Sequence, residues 1–491
     1  MYHNHHLHET KHLKEANLLQ EEKYCRMTTE PVGRLVCQMA VPTIISMLVT
    51  AAYNLADTFF VGLLHSNSAT GAVGVVFSLM AILQAIGYFF GQGSGNYISR
   101  QLGRHQTEDA EAMAVTSLTL ALLTGLVIMI LGQIFLEPLA LLLGSTKTIL
   151  PYACDYLRII LLGAPYMTAS FVLNNQLRFQ GSAMYSMIGI VAGAVINVGL
   201  DPLLIFTFNM GIKGAALATI IGQLFSFGLL LFGCTRGGNL RLHPKKIRFT
   251  SHIFREILGG GFPSLCRQSL MAISTICLNL AAGVYGDAAI AAMSVVSRVM
   301  TMANSALIGF GQGFQPVCGF NYGAKLYDRV RQGYRFCVKW GTVFLLIASA
   351  AGLVLAPQLI AAFRDDPQVI TFGARAMRCQ CLTFPLAAFN MISNMMTQTM
   401  GKTLPATIQA VARQGLFFVP AVLLLPLWLQ EGGVQVAQSV ADLCAFVMSV
   451  LVMRRVFRDL REEENAAMLL RHHRASEPYP AENAPEIPET P

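Results

Sequence analysis

Twelve apolar stretches set what this chain can fold into, each about the 20 residues a helix needs to cross a hydrocarbon core. They fall near residues 38–64, 70–98, 112–135, 150–178, 183–208, 213–234, 257–284, 288–319, 336–360, 370–399, 404–428 and 434–454. Backbone in lipid must satisfy its own hydrogen bonds, so stretches of this length are helices. Charged residues are 13% of the chain, about half the share in soluble domains. A disordered chain, a coiled coil and an ordinary soluble enzyme are thereby excluded. The expected fold is an all-α polytopic membrane protein in a cell (inner) membrane.

The net charge of +8 is a topology signal and not a sign of nucleic-acid binding. Basic residues cluster in alternate loops: Arg100 and Arg104; Arg236, Arg241, Lys245, Lys246, Arg248 and Arg255; Lys325, Arg329, Arg331, Arg335 and Lys339. Loops on the other side carry little beyond Lys147, Lys213 and Arg364. Cytoplasmic loops are the basic ones, and an even number of spans puts both termini there. Residues 1–26 hold His3, His5, His6, His8 and His12 without an apolar run, so they read as a solvated leader and not a signal peptide. Met27 offers an alternative translation start. Cys277, Cys318 and Cys444 sit in apolar runs and read as small core residues.

The two halves repeat at an offset of about 220 residues. Phe90-Gly91-Gln92-Gly93 matches Phe310-Gly311-Gln312-Gly313, and Gly103 matches Gly323. Arg158, Pro165, Asn174 and Gly181 match Arg378, Pro385, Asn394 and Gly401. Each half has six spans, so both enter from the same side and the repeat is parallel. Transporters built this way hold a site between halves that opens to alternate sides. The expected division is a disordered tail with the His-rich leader over 1–37, a first lobe over 38–235, a basic linker over 236–256, a second lobe over 257–455 and a disordered tail over 456–491.

A carboxylate at the bilayer centre costs roughly 2.5–3.5 kcal/mol, so intramembrane acids are functional candidates. Asp57, Asp201 and Asp442 are such acids, and Asp155 lies near an outer end. Asp57 and Asp201 each fall about 10 Å below the outer boundary at 1.5 Å per residue. Asn197 shares a helix face with Asp201. Tyr156 and Thr219 reach the same level from their own spans. Two close carboxylates in low dielectric share a proton sooner than both ionise. With Asn and Thr oxygens they can also hold Na⁺. In the second half the spans from Pro263 to Gly401 have no acid but contain Arg267, Arg298, Arg375 and Arg378. That half is Met-rich, and Met391, Met395 and Gln312 are the expected lining of an apolar substrate cavity. Pro42 near the start of the first span removes a backbone donor and permits bending.

Several stretches are similar to one transporter family. PTIISMLVTAAYNLADTFFVG (42–62), NVGLDPLLIF (197–206), GIKGAALAT (211–219) and GFGQGFQPVCGFNYGAK (309–325) resemble the multidrug and toxic compound extrusion (MATE) transporters, in particular their bacterial MepA-like branch. The resemblance covers roughly residues 30–455. It implies two pseudo-symmetric six-helix lobes in a V, and antiport of amphipathic or cationic compounds against inward H⁺ or Na⁺. It implies a cation-coupling site at Asp57, Asn197, Asp201 and Thr219, with Tyr156 and Asn174 in the same polar network and Pro42 as the bending proline. Helix arithmetic puts Asn174 near the cytoplasmic end of its span, well below the others. Some members add acids in spans seven and ten for sodium. Here those regions read SLCRQSLMAIS and LTFPLAAFNMISN, without an acid, which favours coupling in the first lobe. The expected protein is a monomeric exporter, not an enzyme, with no cofactor beyond the coupling ion. The alternative is a flippase for an anionic lipid-linked precursor, which would use cavity cations such as Arg267 and Arg298.

Overall fold

The apolar runs fold as helices, and the helices outrun them. The structure, a computed structural model, describes residues 18–63, 67–236 and 239–476, with side chains throughout except at residues 54, 55, 57–59, 62, 67–70 and 470–476. The first lobe is built from α1 (Val32–Gly62), α2 (Asn67–Gly103), α3 (Thr107–Ile134), α4 (Leu150–Phe179), α5 (Ala183–Thr207) and α6 (Ile212–Cys234). The second contains α7 (Ser251–Gly283), α8 (Asp287–Gly323), α9 (Tyr327–Ala361), α10, α11 (Thr403–Leu429) and α12 (Glu431–Ser476). No strand occurs among the described residues. Helices α2, α3 and α9 run past their apolar stretches at the end bearing the basic loops. Apolarity marks the hydrocarbon layer, whereas helix hydrogen bonding continues into water.

Eleven of these helices are long and apolar enough to cross a bilayer. The remaining one, α10, is broken into Pro367–Thr383 and Leu386–Thr399, of 17 and 14 residues. Pro385 lies at the break; its missing N–H and its ring interrupt the ladder.

The repeat persists at the level of single hydrogen bonds. Asn174 donates to Ser186 O at 3.3 Å, and its counterpart Asn394 donates to Ala406 O at 2.6 Å. Gly181 and Gly401 turn the chain at the same φ of +79°, a conformation that favours glycine.

The lobes meet where α1 packs on α8 and α2 packs on α7 and α8. Gly313 faces the Ala40 backbone, Gly93 faces Ile257, Gly103 faces the Phe320 carbonyl and Gly323 faces the Arg100 carbonyl. A Cβ at any of the four would collide with the other lobe's backbone. Arg100 crosses the seam, donating to Thr399 O at 2.8 Å and to Glu256 Oε2 at 2.6 Å. Thr43 donates to Gly309 O at 2.6 Å. All of these contacts lie in the halves of the helices nearest the basic loops. The two lobes therefore form a V closed at the basic end.

Two terminal segments differ from the expected disorder. Residues 18–29 are helical and lie across the seam. Lys23 Nζ donates to Ser182 Oγ at 2.9 Å and to Asn239 Oδ1 at 2.8 Å in the first lobe. Asn321 of the second lobe donates to Met27 O at 3.1 Å, and Arg329 to Glu30 O at 2.6 Å. Burial of Met27 and these bonds outweigh a polar composition. At the other end α12 continues to Ser476. Glu464 pairs with Arg331 at 2.6 Å, Glu463 with Lys402 at 3.3 Å, and Leu460 is buried. The His-rich leader and residues 477–491 lie outside the described residues.

Burial, with Arg26 adding like charge, draws the Lys23 pKa from 10.5 down to about 8. The docked helix sheds this proton near pH 8, the undocked one only near 10.5. Docking of residues 18–29 should therefore tighten as pH rises through that window and be weakest below it. A fluorophore on the exposed Cys25 reads this. Lys23→Met should flatten the profile; an unchanged profile would show that Lys23 does not set docking.

Candidate functional site

Helices α5 and α6 cross at a contact only small residues permit. A Cβ on Gly222 would lie 2.7 Å from Gly193 O and 3.0 Å from Asn197 Cβ. This crossing places Asn197 Nδ2 3.4 Å from Thr219 Oγ1, which itself donates to Ala215 O at 3.0 Å. Asn197 Oδ1 is buried without a hydrogen-bond partner among the described residues.

One turn along α5, Asp201 is 0% exposed. Pro202 follows it, and the chain from Leu203 to Thr207 winds as a π-helix. Proline removes the N–H that would close the next α-helical bond, and the widened turn accommodates the loss. Gly214 at the start of α6 packs against the Leu204 backbone of that turn. Helix α6 itself begins after Asn209 and Gly211, both at positive φ. The spacing of Pro202, Gly211 and Gly214 is thus what fixes Asp201 against α6.

Tyr156 of α4, 1% exposed, belongs to the same buried cluster as Ile205 of α5 and Ala215 and Ala216 of α6. Tyr156, Asn197, Asp201 and Thr219 therefore occupy one region. The backbone of Asp57 lies in α1, 25 residues beyond Val32; its side chain lies outside the described residues. Asn174 is not with them. It bonds Ser186 Oγ at 2.5 Å, tying α4 to the start of α5 near the basic end. Its second bond, to the Ser186 carbonyl, recurs in the other lobe as Asn394 to Ala406 O, which marks it as part of the repeated scaffold.

Pro42 lies inside α1, and its neighbour Thr43 makes the seam bond to Gly309. Bending at Pro42 would thus act directly on the contact between lobes. The expected cavity residues are placed differently from the sequence reading. Met395 is 3% exposed with its sulfur over Gly311, and Gln312 is 4% exposed. Both pack between helices, because the close approach at Gly311 draws α10 onto α8. Met391 is partly buried against the cluster of Leu307 and Leu345.

The remaining acids are paired. Asp155 meets Lys213 at 3.2 Å at the surface. Asp442, 1% exposed, accepts from Arg413 Nε at 2.7 Å and Gln438 Nε2 at 2.9 Å. Among the described residues, no three His, Cys, Asp or Glu side chains converge as a metal site.

The sequence model of the MatE family matches residues 42–203 and 263–423, one stretch in each lobe and together more than half of the chain. The chain belongs to the MatE family.

Multidrug export protein MepA of Staphylococcus haemolyticus is 26% identical over 437 residues, covering 88% of this chain and 96% of that protein. Multidrug export protein MepA of Staphylococcus aureus is 24% identical over 449 residues, covering 90% and 99%. A multidrug resistance MATE family transporter solved in an outward-facing conformation superposes with a TM-score of 0.83 at 25% identity, over 89% of this chain and 98% of that one. A MOP superfamily transporter from Pyrococcus furiosus gives the same TM-score, identity and coverage. This MatE protein is a multi-pass membrane transporter and not an enzyme.

Its seam holds polar residues that the sequence reading passed over. Gln315 of α8 donates to Gln92 of α2 at 3.3 Å, and Gln92 to Asn175 of α4 at 3.1 Å. Asn175 also accepts from Arg178 at 2.6 Å. The repeated FGQG motif marked Gln92 in the sequence; only the packing of α2, α4 and α8 joins it to the others.

The Asp442–Arg413 pair is a testable structural element. Removing one partner of a buried pair leaves the other charge uncompensated. Asp442→Asn should lower stability in detergent by about 3 kcal/mol, and Arg413→Met with Asp442→Leu should restore most of it. Thermal unfolding of the purified variants reads both. Equal unfolding temperatures for Asp442→Asn and the native protein would remove the pair from the account of stability.

Proposed function

We propose that this MatE chain is a secondary active multidrug exporter of the inner membrane. It antiports small amphipathic or cationic compounds out of the cell against inward H⁺ or Na⁺, coupled in the first lobe. The observation that carries the coupling site is the buried grouping of Tyr156, Asn197, Asp201 and Thr219. A fully buried carboxylate beside amide and hydroxyl oxygens is chemically suited to take up a proton or a sodium ion. The names of the relatives support the multidrug reading.

Orientation follows from the loop charges. The basic end is cytoplasmic, with both termini there, and the V is then outward-open. Asp57 and Asp201 sit about 10 Å below the outer boundary on their helices, where an external cation arrives first. Uptake of the cation at Asp201, with Asp57 on α1, biases α1. Pro42 lets the cytoplasmic part of α1 respond, and Thr43 carries the change to Gly309 on α8. The cation and the substrate then favour different states of the seam, which is the condition for coupling. The chain acts as a monomer, since one chain supplies both lobes.

A second reading, a flippase for an anionic lipid-linked precursor, is favoured by Arg178 and Arg267, which have no carboxylate partner among the described residues.

The deciding experiment is dye efflux from energised vesicles containing native protein, Asp57→Asn or Asp201→Asn. Proton and sodium gradients are collapsed separately. Each substitution should reduce gradient-driven efflux by more than about tenfold at equal expression, equivalent to ~1.4 kcal/mol. The gradient whose loss stops native efflux names the ion. Full efflux by both variants would overturn the coupling site. If the native protein moves no dye, the flippase reading takes precedence.

A further inference from the structure

Arg178 is the largest fully buried side chain among the described residues, at 1% exposure. It ends α4 at the basic end. Its Nη2 donates to Asn175 Oδ1 at 2.6 Å and its guanidinium lies 5.1 Å from the Phe179 ring centre. Its buried Nε has no hydrogen-bond partner. No carboxylate pairs with it among the described residues. The negative end of the α4 dipole offsets only part of the expense of burying a guanidinium.

A second cation faces the same region from the other lobe. Arg267 of α7, half-buried, donates to Asn394 Oδ1 at 3.2 Å. Arg267 lies within Coulombic reach of Arg178, and Tyr88 of α2 within reach of both. Tyr88 packs on Phe171 with ring centres 5.7 Å apart, and Phe89 on Phe90 at 5.1 Å. Arg178, bonded to Asn175 of the Gln92–Asn175–Gln315 chain that crosses the seam, thus feels the charge of Arg267 from the opposite lobe, with Tyr88 within reach of both.

The repeat supplies an internal control. The counterpart of Arg178 in the second lobe is Gln398. That neutral side chain donates to Gly260 O at 2.7 Å and Ser264 Oγ at 2.8 Å. The scaffold therefore does not require a charge at this position. The buried carboxylate of Asp201 is too far away to neutralise it. Asp201 lies 18 residues beyond Ala183 in α5, about 25 Å towards the other end at 1.5 Å per residue.

We propose that Arg178 and Arg267 form an anion subsite at the seam. It takes the carboxylate, or the phosphate of a lipid headgroup, of an aromatic or otherwise apolar amphiphile. The proposal rests on the exporter reading and deepens it: among the amphipathic substrates, those the subsite holds carry an anionic group, and the cationic ones among these are zwitterions. Because the arginines come from different lobes, an anion between them holds the seam shut, and its departure loosens it.

The test uses full-length protein in phosphatidylcholine nanodiscs and two probes, a rhodamine with a free carboxylate and its methyl ester. Fluorescence anisotropy gives the affinity of each. The native protein should prefer the carboxylate by about tenfold, the size of one charge-assisted contact. Arg267→Gln should bring that ratio towards one. Arg178→Gln, which installs the residue found at the repeat position, should do the same while raising the unfolding temperature of the ligand-free protein. A structural arginine would behave oppositely: Arg178→Gln would lower the unfolding temperature and leave the ratio intact, and the proposal would fall. A native ratio of one, or one untouched by Arg267→Gln, would also overturn it. Replacing part of the phosphatidylcholine with phosphatidylglycerol separates the sources. Competition that depends on Arg267 assigns the subsite to a lipid headgroup, and its absence to a free amphiphile. Vesicle efflux of the methyl ester is read in parallel. Loss of that signal alone would count against the exporter reading, not against the subsite.

Discussion

The whole molecule depends on backbone meeting backbone across one seam. At Gly103 and Gly323 the carbonyls of Phe320 and Arg100 stand where a side chain would be, and these glycines are partners under the repeat. Helices that approach this closely gain dispersion contacts along their length, the main source of helix association where lipid is as apolar as the side chains. The approach also leaves polar groups little space. Arg100, Thr43, Gln92 and Gln315 meet carbonyls and amides of the opposite lobe because buried polar groups in so close an approach must find partners in the protein. Closure at the basic end, the V and the position of Pro42 beside the seam all follow from that geometry.

The buried group of Asn197, Asp201 and Thr219 obeys the same rule inside a single lobe. Gly193 and Gly222 let α5 and α6 touch, and the π-helical turn after Pro202 sets the orientation of the segment that carries Asp201. Small residues determine where the helices cross, and the crossing determines which polar groups meet. Asn174 illustrates the converse. It is as polar as Asn197 and as deeply buried, yet it belongs to a hydrogen bond that both lobes repeat, and so it serves the scaffold.

Charge is distributed in layers along the membrane normal. Asp57 and Asp201 lie towards the open end of the V, while Arg100 and Arg178 lie towards its closed end and Arg267 at the middle of α7. The second lobe differs from the first chiefly here. Its buried acid, Asp442, is neutralised by Arg413, and its counterpart of Arg178 is neutral. The repeat preserved the backbone and its glycines, while side chains at equivalent positions diverged into different chemistry.

The sequence by itself determined the number of spans, the repeat, the basic end and the positions of Asn197, Asp201 and Thr219 along their helices. Hydrocarbon thickness and helix rise convert residue counts directly into depth, so these were legible. It did not determine which faces meet. Met395 and Gln312 read as cavity residues until the approach of α10 to α8 at Gly311 buried them. Residues 18–29 and 456–476 read as disordered because their polarity is a local property, whereas the partners that order them, Ser182, Asn239, Arg331 and Lys402, are far away in sequence. Arg178 passed unnoticed because an arginine at a helix end is ordinary until tertiary packing removes its water. Depth follows from the one-dimensional pattern; contact between faces requires the tertiary structure, because it depends on the rotation and crossing of helices that the pattern leaves free.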